Sequence, residues 1–307
     1  MTPPVDPPVD PLPAFSLEVL ETTPVELTLL QQRSRSPSAP PPAQLLLLLL
    51  RADGAKGEGA KGEGAKGEGA KGDGAKGDGA KGEGASRLLS CSERQRTASV
   101  NAETILTVGR YVALPLSLEP GAVNGGALGA GAFTGSDGLP FVLRIGSVKP
   151  LLCAPAPLPP AAARAALVSY IKQGDQSEPF PGMYMYNLQD GCGFLVLAEN
   201  ASGSNAMSVQ LDHSECVNLI PSRGSLTTYD TLPPKHVQIL QVLSRAAEAD
   251  CVMLVSANFR SEPWMGGESL HSPGVVEGGV HDPQRQAPGG ARGSGGKLLG
   301  ALSRLRF

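Results

Sequence analysis

Cys216 follows His213 by three positions, and this pair is the first place to look for nucleophilic chemistry in the chain. Thiol catalysis needs a thiolate activated by a base, with a third group orienting that base. On a strand, positions three apart point to opposite faces, so the pair reads as chance neighbours at a turn. His236 opens a strand after two prolines and reads as packed or solvated, while His271 and His281 lie in a Gly- and Pro-rich tail and are expected in solvent. The five cysteines, Cys91, Cys153, Cys192, Cys216 and Cys251, are dispersed and odd in number, with no CxxC pair. A disulfide framework or zinc site needs paired spacing, so they are expected to be small, mostly buried apolar groups in a reducing compartment.

Other candidate chemistries are equally thin. Asp190, Asp212 and Glu215 are carboxylates of the kind that calcium loops carry. Calcium, however, takes about six to eight converging oxygens, and scattered single carboxylates read as solvated turn residues. The Gly-rich stretch Asn124–Gly138 has no Gly-Lys-Ser/Thr to cradle phosphate and reads as a long strand connection. Asn200-Ala201-Ser202 is a glycosylation sequon that an intracellular chain would not use. Arg94-Gln95-Arg96-Thr97-Ala98-Ser99 and Arg33-Ser34-Arg35-Ser36-Pro37 have the form of kinase sites in loops. Lys297–Phe307 has an amphipathic pattern but is too short for a stable isolated helix. The expectation is no catalytic residue, no metal ligand and no cofactor.

Composition narrows the classes further. A net charge of −3 argues against a nucleic-acid binder, which needs a basic surface. Aromatics are 4% of the residues, so a core must be built from Leu, Val and Ala. Met1–Leu12 carries prolines and acids instead of a basic leader. The six leucines Leu45–Leu50 fall far short of the ~20 apolar residues of a membrane span. The chain therefore reads as soluble and cytoplasmic, with protein partners.

The elements that would position these residues are mostly strands. In Phe15–Gln32, apolar residues alternate with polar ones on both sides of a break at Thr22–Pro24, which predicts a half-buried hairpin. Leu45–Leu50 is apolar without alternation, as in a strand buried on both faces. Gly54–Glu83 repeats Gly-Ala-Lys-Gly-Glu/Asp; the period of five excludes collagen, and the glycines disfavour a helix, leaving a flexible, neutral linker. Ile105–Leu118 and Leu139–Val148 read as strands, and Ala161–Lys172 as a helix with Ala165, Leu167, Val168 and Ile171 on its apolar stripe. Beyond Pro179, short strands recur at Met183–Leu188, Gly193–Glu199, Met207–Leu211, Val217–Ile220, His236–Leu243 and Cys251–Asn258, the pattern of a sandwich. Val237–Arg245 also fits helical spacing, and strand is preferred because a turn follows so soon.

Three groups of residues carry a resemblance. Phe15–Gln32 is one; Gly109–Pro120 with Pro140–Ser147 is the second, through Tyr111, Pro115, Glu119, Pro120, Phe141, Leu143, Arg144 and Ser147. The third is Gly182–Ala201 with Val217–Leu243, through Ala198–Asn200, Arg223–Leu226 and Pro233–Pro234. Together they resemble the C-terminal, non-protease region of calpains of the small optic lobes type (calpain-15-like). The resemblance implies a mainly β chain. Residues 1–13 would be a Pro-rich disordered start, 14–51 and 101–150 two parts of a C2-like β-sandwich, and 52–100 a repeat linker. Residues 151–260 would form a small-optic-lobes homology domain with one helix, and 261–307 a disordered tail. An intact parent would be an intracellular cysteine endopeptidase. Its motifs Gln-x-x-x-Gly-Asp-Cys-Trp and His-Ala-Tyr do not occur here, so a non-catalytic regulatory region is expected, contacting partners or a protease core in cis. The alternative is a free-standing scaffold or adaptor. Pro115, Arg144, Gly224 and Pro233 are expected to matter as structural residues.

Overall fold

A computed structural model describes residues 11–31, 42–52, 87–118, 140–246, 250–266, 271–275 and 279–286. The repeat Gly54–Glu83, the Gly-rich connection, the Arg33–Pro37 kinase motif and Lys297–Phe307 lie outside these residues. The described chain is mainly β, with one α-helix and antiparallel sheets stacked in layers.

The first two layers form a sandwich. One sheet has the order β4 (Arg87–Cys91), β3 (Leu45–Arg51), β6 (Gly109–Ser117), β1 (Phe15–Val19), β8 (Leu151–Pro155). The facing sheet is β5 (Ser99–Leu106), β2 (Thr23–Gln31), β7 (Phe141–Ser147). The last two layers form a second sandwich. Its larger sheet runs β13 (Leu219–Pro221), β15 (His236–Arg245), β11 (Gly193–Asn200), β10 (Met183–Asp190), β9 (Asp175–Phe180), with the two-residue β17 (Gln284–Arg285) also on β15. The smaller sheet is β14 (Thr227–Leu232), β12 (Asn205–Asp212), β16 (Ser256–Pro263). Helix α1 (Pro160–Ile171) packs against β3 and β4 on one side and β10 and β11 on the other.

The leucine run explains this stacking. Leu45, Leu47 and Leu49 point into the first sandwich, against Leu17, Leu27, Leu29 and Tyr111. Leu46, Leu48 and Leu50 point the other way, into a layer with Leu167, Ile171, Leu195, Leu197 and Ile239. All six are buried, so the strand shows no alternation. Strand β6 divides similarly, with Ala113 in the first core and Leu114 and Leu116 in the helix layer, joined there by Leu118 just beyond the strand. Pro115 is tolerated inside β6 because it stands opposite Leu47, whose N–H goes to Ser92 Oγ and whose carbonyl accepts the Ser92 N–H. Helix α1 starts with Pro160 in its first turn, where a missing N–H costs nothing. Sandwiched between sheets, it buries Ala163, Ala166, Leu167, Val168, Tyr170 and Ile171, while Ala165, assigned above to the apolar stripe, is exposed.

Several expectations are corrected. Phe15–Gln32 is no hairpin: β1 pairs with β6 and β8, β2 with β5 and β7, and Leu20–Thr22 crosses between the two sheets. Alternation fixes a strand's buried face, not its partner. The next crossing, at Thr107 and Val108, is held by Tyr111, whose hydroxyl donates to the Thr107 carbonyl at 2.8 Å. Arg87–Cys91, read as linker, is a strand; Arg51 and Arg87 stand directly opposite each other across β3 and β4. Leu12, read as part of the disordered start, bridges to Leu158 and is buried. The strand expected at Cys251–Asn258 lies at Ser256–Pro263. Val237–Arg245 is a strand, with a bulge opposite Val196 and Leu197. No helix among the described residues is long and apolar enough to cross a membrane.

Close backbone approach demands glycine at Gly174, where an added Cβ would lie 2.2 Å from the Asn187 carbonyl oxygen, and at Gly193. At Gly193, where β11 leaves its hairpin, φ is +139°, and an added Cβ would lie 2.1 Å from the Leu243 carbonyl oxygen of β15. Gly193→Ala is expected to destabilise the chain by about 1–3 kcal/mol, as overpacking and backbone strain do. Urea unfolding followed by circular dichroism reads the loss.

Candidate functional site

Two buried ion pairs organise the polar interior, and neither is visible as a sequence motif. The first joins the two sandwiches. Arg94, in the connection between β4 and β5, is the largest fully buried side chain among the described residues. Its Nε donates to Asp190 Oδ2 at 2.9 Å and its Nη2 to Oδ1 at 3.0 Å, a two-pronged pairing. Its Nη1 donates to Gln44 Oε1 at 3.1 Å, and the Ser244 hydroxyl donates to the same oxygen. Asp190, at the end of β10, also accepts from the Tyr170 hydroxyl of α1 and the Cys192 backbone N–H. Residues from both sandwiches and the helix therefore share one network. Asp190, expected as a solvated turn residue, is its anion, and Arg94 of the apparent kinase motif is its cation.

The second pair sits beside the edge of β15. Arg223 Nη1 donates to Asp230 Oδ2 at 2.6 Å and to the Leu240 carbonyl at 3.3 Å. Asp230 Oδ1 accepts from Gln238 Nε2 at 3.4 Å and meets His271 Nδ1 at 3.2 Å. The remaining Arg223 donors leave the sandwich for a later segment: Nη2 reaches the Ser272 carbonyl at 2.6 Å and Nε the Pro273 carbonyl at 3.2 Å. Residues 271–275 and 279–286 thus pack on this sandwich as a strap. Val280 and His281 are buried, and β17 adds backbone pairing to Val237 and His236. Arg164 of α1 donates to the Gly279 carbonyl at 2.8 Å and to Asp282 at 3.1 Å. Gly224, at φ +71°, allows the turn that presents Arg223.

His271 and His281, expected in solvent, are therefore structural. His281 Nδ1 donates to the Ile239 carbonyl at 2.6 Å, which leaves Nε2 to accept from the Ser222 hydroxyl at 2.9 Å. This is a Ser–His contact without a nucleophile's setting. Both side chains are buried, the third partner is a carbonyl, and Ser222 Oγ also accepts the Val242 N–H. The carboxylate that would orient a base, Asp230, is engaged by Arg223 instead.

The remaining candidates do not converge. His213 is buried, with neither ring nitrogen hydrogen-bonded. The Cys216 N–H donates to the His213 carbonyl, and its thiol lies 3.2 Å from the Leu254 carbonyl. Burial pushes the Cys91, Cys153 and Cys216 thiols up, away from thiolate. The opposite shift would suit a nucleophile. Cys192 is buried, whereas Cys153 is exposed on β8. Asp212 is held low mainly by the Ser214 N–H, as a turn residue. No group of three or more His, Cys, Asp or Glu among the described residues is arranged to hold a metal ion. Arg144 is exposed on β7, while the Pro233 carbonyl accepts from Asn200 Nδ2 at 3.1 Å.

The buried histidines set a pH dependence. Burial, aided by the Arg223 guanidinium, brings His281 down to about 4, and burial also lowers His213. The unfolded chain then binds more protons than the folded one between the unperturbed value of 6.5 and about 4. Stability is full above that window and falls as pH drops through it, by about 3 kcal/mol for His281. In urea titrations from pH 7.5 to 4.5, His281→Asn, which keeps a donor for the Ile239 carbonyl, is expected to flatten the slope.

Compared with known families, residues 169–262 match the model of the calpain-D-like C-terminal domain. The chain thus carries a calpain-like C-terminal region, running from the last turn of α1 through β16. No solved structure matches the chain.

Proposed function

We propose that this chain is a non-catalytic interaction region of a calpain-type cysteine endopeptidase system, of the small optic lobes type, acting in regulated proteolysis in the cytoplasm. In this reading the first sandwich is the C2-like unit of such proteins. The two sandwiches together present surfaces to a protease core or to protein partners. The observation that carries the proposal is the Arg94–Asp190 joint: the calpain-like module's Asp190 is neutralised by a cation from the preceding sandwich. The module is joined to the preceding sandwich by this buried pair, and in this reading such polar groups serve attachment. The raised thiols support the same reading.

The test is incubation of the purified chain with casein and a cysteine-directed activity probe. Neither cleavage nor mechanism-dependent labelling is expected. Thiol-dependent cleavage abolished by replacing a single cysteine would overturn the proposal.

A further inference from the structure

The edge of β15 is interrupted. Strand β13 covers one end, at Leu243 to Arg245, and β17 the other, at His236 and Val237. Between them, among the described residues, no strand pairs with this edge; the Ser222 N–H reaches the Val242 carbonyl, and beyond it side chains take over. Arg223 Nη1 serves the Leu240 carbonyl, His281 serves the Ile239 carbonyl, and Ser222 Oγ serves the Val242 N–H. The strap enters this gap, and many of the contacts made to it are to its main chain. Arg223 reaches the Ser272 and Pro273 carbonyls, Gln238 the His281 carbonyl and Arg164 the Gly279 carbonyl. The Ser272 N–H donates to the Tyr229 carbonyl and the Gln286 N–H to the Lys235 carbonyl. Side chains add selection: His271 meets Asp230, Ser272 Oγ accepts the Tyr229 N–H, Asp282 accepts from Arg164 and Gln286 Nε2 donates to Glu199. Val280 fills the apolar layer, His281 meets Ser222, and Gly274 fits where a Cβ would lie 3.0 Å from Arg223 Cβ.

Main-chain capture along a sheet edge, with a few side-chain pockets, is how extended peptides are bound by β-augmentation. The groove residues Ser222, Arg223, Asp230, Gln238 and Ile239 all lie inside the calpain-like match at 169–262, and the strap lies beyond it. We propose that this groove is a peptide-binding site held by the strap as a cis ligand. Its partner in trans is an extended protein segment with a Ser-Pro-Gly-like turn followed by a Val-sized anchor and a histidine. This deepens the reading of the chain as an interaction region by naming the class of partner.

The tethered strap competes with any free peptide at an effective concentration on the order of millimolar. A site-specific protease sequence inserted in the full chain between Gly266 and His271 converts the strap to a bound, untethered peptide. A fluorescein-labelled synthetic peptide of residues 268–290 is then added and followed by anisotropy. The nicked chain is expected to take up the peptide, with unlabelled peptide displacing it, at least ~100-fold more tightly than the uncut chain does. A peptide carrying Val280→Asp and His281→Ala is expected not to bind. The proposal is overturned if the nicked chain keeps its own strap without exchange, if it loses its circular dichroism on nicking, or if the altered peptide binds equally. None of these outcomes bears on the casein and probe test, so the two readings fail separately.

Discussion

Arg94→Ala is expected to destabilise the chain by about 3–5 kcal/mol, the cost of leaving a buried charge without its partner. Asp190 would keep the Tyr170 hydroxyl and the Cys192 N–H but lose the three guanidinium contacts that neutralise it. Gln44 would lose a donor at the same time. Arg94→Lys recovers only part of the loss, because an ammonium cannot reproduce the planar fork. Replacing both partners by leucine is expected to cost less than either single change, since no charge then remains buried. Urea unfolding read by circular dichroism gives the total. Fluorescence of the sole tryptophan, Trp264, just after β16, reports the second sandwich. Failure of the double variant to recover stability over Arg94→Ala would mean that the geometry of the pair, and not its charge, holds the joint.

Leu48→Ala and Leu49→Ala, adjacent in sequence and equally buried, are each expected to cost about 2–5 kcal/mol. Their cavities open in different layers. Leu49 leaves a void between the two sheets of the first sandwich, and Leu48 one beneath α1. Leu48 therefore shares a layer with residues of both sandwiches, as the Arg94 network does. Combined with Arg94→Ala, Leu48→Ala is expected to depart from additivity by more than Leu49→Ala does, since changes to a shared joint couple. Equal coupling for the two leucines would show that the two sandwiches and the helix unfold as one undivided core.

What could be read from sequence follows what is local. The leucine run betrays its two-sided burial because each face must be apolar wherever it lands. The helix is legible from the apolar stripe of Ala161–Lys172, and β15 is preferred as a strand over a helix only because a turn follows so soon. Pairing is not local, which is why Phe15–Gln32 looks like a hairpin and is an arch between sheets. Asp190 stands in Gln-Asp-Gly, ordinary turn chemistry, and its cation lies 96 residues away. Thr227–Leu232 reads as polar because Thr228 and Asp230 point inward, and Asp230 does so to meet Arg223. The strap is rich in Gly, Pro and His and carries no period; its order comes from the groove. The signal available beforehand was the Arg223-Gly224 turn in the segment that resembles the calpain module, a cation seven residues before Asp230.

The opposition of Arg51 and Arg87 has a consequence for how this gene can change. The Gly-Ala-Lys-Gly-Glu/Asp units all lie between two positions that the sheet already holds face to face. Doubling the length of such an excursion costs only about 0.6 kcal/mol in closure entropy. Gain or loss of whole units by slippage during replication would leave the register of every strand where it is.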